Sequence, residues 1–456
     1  MRYNVLFILD VIANIAIRNC KVSQIIRNCA PKFFKIIMTS ISCGIDFGTS
    51  NSSIAIANQG SVHLVPVEGS STTTPSAMFF HRKGNVPYYG RAAVNMFLER
   101  NPGRFMRSLK RVLGTPVMRQ GTMVNGELMR FNEIIISFLQ NLKEKADAEA
   151  DQEIENVVMG RPVHFVDNDN AADIRAEAEL KAIARELGFK NIDFQFEPIA
   201  AAFAHEINIT GEKLAIVVDL GGGTSDFTVI RLSNKFIHKA DRTSDILANT
   251  GIRVGGNDFD KDLSLAAIMP ELGYRSTYGT KNLEVPLYHY FDLSEWSKVN
   301  FLYTTKIISQ TKQILFEAHD KTRYKRLLQV LEQETGHTLL AATEETKIAL
   351  TSQSEYNAPF DFLEDGLTAK VTREQFDEAI IQKIEKISNS ALQCLVDAGV
   401  LKEDIDLVIL TGGSTEVPLI QTEFKRLFPN AQLADENKLS SVGLGLAYDS
   451  QNKFGR

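Results

Sequence analysis

The chain has 456 residues, of which 44% are hydrophobic and 23% are charged. This length and composition provide a large core and favour two lobes. The formal net charge is −6, so the chain has no excess of positive charge for binding nucleic acid or an anionic membrane.

The cysteines and the hydropathy of the sequence indicate the compartment and the kinds of partner to expect. The four cysteines have neither the spacing of a metal site nor that of a disulfide framework, so we expect reduced thiols and a cytoplasmic location. The sequence contains no apolar run of membrane-spanning length. We therefore expect no nucleic-acid or membrane partner.

Residues 1–40 differ from the rest of the chain. They contain an apolar run, Val5 to Ile17, which Asp10 interrupts. A signal peptide is one interpretation, although no small-x-small cleavage site follows the run. We favour another, an extension that is not translated, with Met38 as the true first residue. Met38 lies just ahead of the first predicted strand.

The first motif combines a strand end, an acidic residue and a glycine turn. A predicted strand ends in Asp46, the turn contains Gly48, Thr49 and Ser50, and a second strand follows near Ile54. Because glycine has no Cβ, backbone N–H groups in such a turn can approach a phosphate closely. An Asp at the strand end can hold Mg²⁺ directly or through water.

The next segment predicts alternating strands and helices from its apolar patterns. In chain order these elements are a strand from Ala77 to Phe80, a basic helix from Arg104 to Leu113, a helix from Phe131 to Ala148, a strand from Asn156 to Met159 and a helix from Ala171 to Leu187. The last helix is followed by Gly188, a typical stop signal.

A strand predicted from Asn191 to Phe196 ends at the pair Glu197-Pro198. Proline is favoured at the first position of a helix, so a helix should begin here. The helix dipole favours a Glu in the first turn, which gives Glu197 a purely structural interpretation. The alternative is that Glu197 faces a ligand at this junction.

The pattern of the first motif returns in the middle of the chain. The apolar run Leu214 to Val218 predicts a buried strand that ends in Asp219. The turn that follows contains Gly221, Gly222, Gly223 and Thr224, and a second strand comes next. No Gly-Lys-Ser/Thr is present, so this is not a P-loop. Taken alone, the motif also fits an ordinary hairpin. Two Asp-x-Gly turns in one chain indicate a duplicated domain, with each half giving one loop to a shared phosphate.

The second half contains further turns and helices. A third glycine turn, with Gly412, Gly413 and Ser414, follows an apolar strand and precedes a helix. Residues 306–334 predict a charged helical hairpin. Thr372 begins a capping box that opens a helix reaching about Cys394.

These motifs together resemble the nucleotide-binding domain of the seventy-kilodalton heat-shock proteins, the DnaK family. Further similar stretches are Gly160 to Phe165, Glu197 to Ala202 and Gly255 to Asp260, and the resemblance covers about residues 43–449 in the family's order. Within the family the chain is most similar to the short YegD-like chaperone proteins. The resemblance implies an α/β fold of two lobes, the actin-like heat-shock ATPase fold built from duplicated ribonuclease-H-like domains.

The resemblance also implies a domain organisation. Lobe I would comprise residues 41–211 and 435–456, and lobe II residues 212–434 with an enlarged helical insert at about 258–343. A C-terminal substrate-binding domain is not expected. We therefore predict that unfolded clients and co-chaperones act through a separate protein.

The activity implied is slow ATP hydrolysis in a cleft between the lobes, with ATP and Mg²⁺ as ligands. Its catalytic residues would be Lys110, Glu197, Asp219 and Thr224, and its metal would be held by Asp46 and Asp219. Residues implied in nucleotide binding are Gly48, Thr49, Ser50, Gly221, Gly222, Gly223, Gly255, Gly256, Glu344, Lys347, Gly412, Gly413 and Ser414.

Two positions depart from the family pattern. Where the family has arginines that stack on the adenine, this chain has Ile348 and Glu416. Cation–π stacking of about 0.5–2 kcal/mol at each position is then lost. We expect weaker ATP affinity or looser base selectivity.

Two other functions fit the same superfamily. One is a kinase that transfers the γ-phosphate to a sugar or an acid. The other is an actin-like scaffold that binds ATP and barely hydrolyses it. The Glu197 to Ala202 and Gly255 to Asp260 stretches favour the chaperone-like ATPase over the kinase.

Overall fold

The computed structural model describes residues 41–455, except residues 59, 85, 100, 167–168, 238, 240–241, 297 and 435–439. The two interpretations of residues 1–40 fall outside the described residues. Of the four cysteines, Cys43 and Cys394 are described, and both are free and buried.

The first half of the chain is built around a mixed sheet. The strands of this half, β1–β11, are Ser42–Phe47, Asn51–Asn58, Ser61–Leu64, Thr74–Pro75, Ala77–His81, Tyr88–Tyr89, Gly103–Arg107, Gly121–Val124, Glu127–Arg130, Asn156–Arg161 and Asn191–Phe196. Its helices α1–α4 are Gly90–Leu98, Phe131–Ala150, Asn170–Glu186 and Glu197–Glu206. The main sheet has the order β11-β10-β1-β2-β3, and β4 pairs with β2. In it, β1 and β2 form an antiparallel hairpin and β10 runs parallel to β1.

One prediction in this half is wrong. The stretch from Arg104 to Leu113 is not one helix, because its first part belongs to strand β7, which pairs with β5. Ser108 then adopts a left-handed conformation, with φ of 60°. Only Leu109–Val112 forms a short 3-10 helix. The basic stretch therefore contains an edge strand, and its Met106 is buried in the hydrophobic core of the first half.

The second half repeats the topology of the first. Its strands β12–β20 are Glu212–Leu220, Ser225–Ser233, Ile246–Ile252, Thr277–Tyr278, Leu283–Glu284, Glu355–Pro359, Thr368–Thr372, Leu407–Thr411 and Gln432–Ala434. Its helices α5–α12 are Gly256–Leu263, Tyr288–Leu293, Thr305–Glu317, Lys321–Glu332, Gly336–Ser352, Arg373–Ala398, Pro418–Leu427 and Ser441–Phe454. The second sheet has the order β14-β13-β12-β19-β20. Here β12 and β13 form the antiparallel hairpin and β19 runs parallel to β12, as β10 does to β1.

An additional subdomain is inserted after α5. It has a hydrophobic core of its own, separate from those of the two main sheets, with Tyr290 and Tyr324 fully buried. The predicted helical hairpin at 306–334 is confirmed by α7 and α8. The capping box at Thr372 is confirmed too, because its hydroxyl accepts from the Gln375 amide at 3.2 Å.

The last helix, α12, packs on the first sheet and on α4, and so returns the chain to its first half. Close approach requires small residues here. A Cβ added at Gly445 would lie 1.6 Å from the Ala200 carbonyl oxygen. Among the helices of the described residues, none has both the length and the apolar character needed to cross a membrane.

Candidate functional site

The hairpin turns of the two sheets meet each other. Gly222 lies so close to Ser50 that an added Cβ would be 2.1 Å from the Ser50 hydroxyl oxygen. A Cβ added at Gly223 would lie 3.7 Å from the Thr49 methyl carbon. We call this approach of Thr49 and Ser50 to Gly222 and Gly223 the turn contact. It brings one predicted glycine turn from each half to a single place.

Neighbouring segments hold the second turn in shape. The Gly256 amide donates to the Gly221 carbonyl at 3.0 Å, and the Asn257 amide donates to the Gly222 carbonyl at 2.8 Å. The Ser414 hydroxyl also donates to the Gly221 carbonyl, at 2.9 Å. The predicted turns near Gly255 and Ser414 are thus built onto the second turn.

The other glycines of the predicted turns also lie in close contacts or turns around this place. A Cβ added at Gly255 would lie 2.6 Å from the Gly223 nitrogen, and one at Gly412 would lie 2.8 Å from an Asp219 carboxylate oxygen. In the first turn, the Gly48 carbonyl accepts from the Ser76 hydroxyl at 2.6 Å. Gly413 begins the short 3-10 helix that also contains Ser414.

Behind the turn contact lies a buried acidic cluster. Asp219 stands opposite Asp226 in the β12–β13 register, so both side chains project from one face of the sheet. Lys110, from the 3-10 helix, forms an ion pair with Glu197, the first residue of α4. These four side chains are between 2% and 8% exposed. Asp46, at the end of β1, is close enough to interact with Lys110 and Glu197.

The mutual repulsion of these carboxylates appears in their pKa values. Burial, and then the charge of Glu197, raises the pKa of Asp46 to about 7. Burial and Glu197 also raise the pKa of Asp226 to about 7. The pKa of Asp219 is raised by burial and then by the neighbouring carboxylates. Burial alone would lower the pKa of Lys110, but Glu197 and Asp46 outweigh it and raise that pKa.

This charge balance fits a divalent cation. The cluster holds four carboxyl groups and one lysine, and such an excess of buried carboxylate is stabilised by added positive charge. No group of three or more His, Cys, Asp or Glu side chains in the described part of the chain is arranged to ligate a metal directly. Mg²⁺ keeps several of its waters when it binds, so one or two of the carboxylates in this cluster would be enough to hold it.

Glu344 and Lys347 lie on α9, as predicted, but each has its own partner. Both oxygens of Glu344 accept from the Arg107 guanidinium of the first half. Lys347 forms an ion pair with Asp260 at 2.8 Å. In this structure Glu344 is therefore paired with the first half, and Lys347 with another residue of the second half. Ile348, the residue directly after Lys347, is 58% exposed.

Aromatic side chains surround the Arg107–Glu344 ion pair. The Arg107 guanidinium lies 5.0 Å from the centre of the Trp296 ring. His337 packs against both Trp296 and Phe97, at 5.6 and 5.4 Å between ring centres. Phe105 stacks on Phe97 at 4.5 Å and also approaches Trp296. We call this set the aromatic contact: Phe97, Phe105 and Arg107 of the first half against Trp296, His337 and Glu344 of the second.

Sequence analysis missed Asp226 as a site residue. A usable signal was present, because Asp219 and Asp226 are placed symmetrically about the predicted turn and must face each other in a tight hairpin. Trp296 and Arg107 carried no such signal, since their contact joins segments far apart in the chain.

Comparison with protein families identifies the chain. The family model described as Hsp70 protein matches residues 42–271 and 316–451. The match covers most of the chain and leaves out residues 272–315, which fall within the predicted insert. With the two duplicated sheets, it confirms the predicted two-lobed, actin-like ATPase fold.

Proposed function

The chain belongs to the Hsp70 family, and from this premise we propose that it binds ATP with Mg²⁺ between its lobes and hydrolyses it to ADP and phosphate. The observation that carries the proposal is the turn contact, with the Lys110–Glu197 pair and three further aspartates directly behind it. Members of the Hsp70 family are chaperone-like ATPases. A related chaperone role, close to the short YegD-like proteins, follows as part of the proposal.

The turns suit the phosphate groups of the nucleotide. Because glycine has no Cβ, the backbone N–H groups of Gly222 and Gly223 can approach a phosphate closely, and Thr49 lies in the facing turn. The hydroxyls of Thr49, Ser50 and Thr224 can add further donors. Phosphoryl transfer depends mainly on positioning and charge neutralisation, so such a cradle with a nearby cation is sufficient machinery.

The acidic cluster suits the metal and the attacking water. Asp46 and Asp219 would hold hydrated Mg²⁺, which when bound neutralises charge developing on the phosphates. Glu197 is buried and paired with Lys110, so its carboxylate is held in a fixed position from which it can orient water. Lys110 would offset charge on the transferred group. Asp226 supports Asp219 from the opposite strand, and its Oδ1 accepts from the Val163 amide at 3.1 Å.

The nucleoside would lie on the second lobe. Gly255 and Gly256, with Gly412 to Ser414, form the floor beside the phosphate turns. Glu344 and Lys347 on α9 would reach the ribose after exchanging their present ion-pair partners. Partner proteins, whether co-chaperones or clients, would influence this site from outside it.

The test is phosphate release by the purified chain, with ATP and Mg²⁺ and no added acceptor. We expect slow, Mg²⁺-dependent release that ends when the metal is chelated. Release that requires a sugar or an acid would favour the kinase. Sedimentation that depends on nucleotide, without hydrolysis, would favour the actin-like scaffold.

A further inference from the structure

We propose that Arg111 and Arg253 complete, with Lys110, a phosphate site for the terminal phosphate of bound nucleotide and for the free phosphate that hydrolysis releases. This inference rests on the proposed ATPase function and assigns a role to two arginines that the turns themselves do not require. The ligand class is a tetrahedral phosphate oxyanion.

The two arginines reach the same place from opposite lobes. Arg111 lies in the 3-10 helix Leu109–Val112 of the first lobe, next to Lys110. Arg253 follows strand β14 of the second lobe, two residues before Gly255. Both line a cavity beside the turn contact, together with Thr49, Lys110, Gly223 and Thr224. A Cβ added at Gly223 would lie 3.8 Å from the Arg111 Nε, which shows how closely this guanidinium approaches the turn.

Neither Arg111 nor Arg253 forms an ion pair with a carboxylate of the described residues. Ion pairs in the described residues engage Arg107, Lys110 and Lys347 instead. Burial lowers the pKa of Arg111, and the positive charge of Arg253 lowers it further. Both arginines are solvent-exposed, so their side chains are accessible to a bound anion.

Two carboxylates lie in the neighbourhood, but both are engaged elsewhere. Asp258 and Glu295 act against the lowering of the Arg111 pKa, less strongly than Arg253 causes it. Asp258 accepts from the Gly255 amide at 3.0 Å, within the first turn of α5. Glu295 forms ion pairs with Lys261 and Lys298. An anion bound at the cavity would offset the repulsion between Arg111 and Arg253 that these carboxylates do not cancel.

A phosphate group fits these donors better than other anions. Guanidinium groups bind phosphate oxygens with paired, charge-assisted hydrogen bonds. The backbone of the glycine turn adds donors of the kind found in phosphate cradles.

The two-lobe origin of the arginines has a consequence for the reaction. A phosphate held by Arg111 and Arg253 would link the lobes by replacing a repulsion with two attractions. In hydrolysis, water attacks the terminal phosphorus and loses a proton to solvent, and the bond to the ADP oxygen breaks with its electron pair leaving on ADP. The phosphate formed would stay between the two guanidinium groups. Release of phosphate would then be slower than its formation.

The experiment measures binding of inorganic phosphate, in the presence of Mg²⁺ and ADP, by isothermal titration calorimetry. The variants are R111Q and R253Q, and R119Q is the matched control, because Arg119 is an exposed arginine of the first lobe outside this cavity. We expect each test variant to weaken phosphate binding about tenfold or more and to leave ADP affinity unchanged. R119Q should bind phosphate as the wild type does.

A parallel titration separates the two sources of phosphate. If the site also holds the terminal phosphate of nucleotide, R253Q should weaken binding of a non-hydrolysable ATP analogue but not of ADP. Equal phosphate affinity in wild type and both variants, or no phosphate binding by the wild type at about 10 mM, overturns the proposal even if ATP is hydrolysed. Phosphate binding that the variants lose supports the site even if no hydrolysis is found, so the two proposals fail separately.

Discussion

Two of the contacts between the lobes of this protein, the turn contact and the aromatic contact, differ in chemistry. The turn contact is made of glycines and hydroxyl side chains backed by buried charges. The aromatic contact is made of stacked rings around one ion pair, Arg107–Glu344. The first has the groups that phosphate chemistry requires, whereas in the second the charges of Arg107 and Glu344 are paired with each other.

The two regions also differ in their relation to the family. The turn contact lies wholly within residues matched by the Hsp70 model. The aromatic contact includes Trp296, which lies in the unmatched segment 272–315. The groups suited to phosphate chemistry therefore lie in segments that the family shares, whereas part of the aromatic contact lies outside them. The four predictions below test that separation.

The largest effect is expected from Asp219→Asn. The amide keeps the shape of the side chain and removes the charge that attracts Mg²⁺, so phosphate release should fall about 10²–10³-fold. The measurement is steady-state phosphate release, with circular dichroism to check the fold. Asp404→Asn, at a surface position, is the control and should keep the wild-type rate. A near wild-type rate for Asp219→Asn would show that the site assignment is wrong.

The next effect tests whether the turns must touch. Gly222→Ala places a methyl group where Ser50 lies, and the turns must separate, which should reduce phosphate release about 10–100-fold. Gly221→Ala is the matched control, because its added Cβ would be 3.6 Å from the nearest atom. Gly222→Ala should reduce the rate less in a Ser50→Gly background than in the wild type, because the side chain with which the methyl group clashes is then absent. An unaffected Gly222→Ala variant would contradict the turn contact.

Much of the turn region could be predicted from sequence because each turn is local. Strand, acidic residue, glycines and strand follow one another, and the repeat indicated the duplication that the sheets confirm. The position of Lys110 required the family resemblance, since the basic stretch around it was wrongly predicted as a helix. Arg104 and Arg107 give strand β7 the basic composition that was interpreted as a helix, although Met106 between them is buried.

The aromatic contact could not be predicted, for a physical reason. Trp296, Phe105 and His337 are distant in sequence, and no short pattern records that they pack together. Sequence patterns indicate which face of an element is apolar, whereas the partner of that face depends on the tertiary fold. The insert was recognised as extra sequence, but its contact with the first lobe was not.

A third prediction uses acid to open the aromatic contact. Burial, and then Arg104, lowers the pKa of His337 to about 4. A histidine with a lowered folded-state pKa loses stabilising effect as pH falls from about 6.5 towards 4, because the unfolded chain takes up the proton first. Between pH 7 and pH 5 this one group should cost about 2 kcal/mol of unfolding free energy.

The measurement combines denaturant unfolding with the fluorescence of Trp296, the single tryptophan of the chain. Wild type should lose more stability than His337→Phe between pH 7 and pH 5, and the acid shift of Trp296 emission in the wild type should be absent from His337→Phe. His289→Phe is the control and should keep the acid shift, because burial also lowers the pKa of His289 to about 4 but its ring packs against Tyr288. An acid shift that persists in His337→Phe would assign it to another group.

The smallest effect concerns the base of the nucleotide. Ile348→Arg restores a planar cation on α9, and stacking on adenine should raise ATP affinity by roughly 0.5–2 kcal/mol. The measurement is equilibrium titration with ATP and with GTP. Ile381→Arg is the control, because Ile381 is another exposed isoleucine on a helix of the second lobe. Tight wild-type binding with strong preference for ATP over GTP would contradict the expected loss of stacking.

The most direct test of the central claim is amide hydrogen exchange of the two hairpin turns, residues 46–52 and 219–226, with and without nucleotide and Mg²⁺. A site shared between the lobes predicts that Mg²⁺ and ATP together protect both turns, and that Asp219→Asn loses the protection of both. Protection confined to one turn, or equal protection without Mg²⁺, would contradict the claim that the two turns bind one Mg²⁺-bound nucleotide.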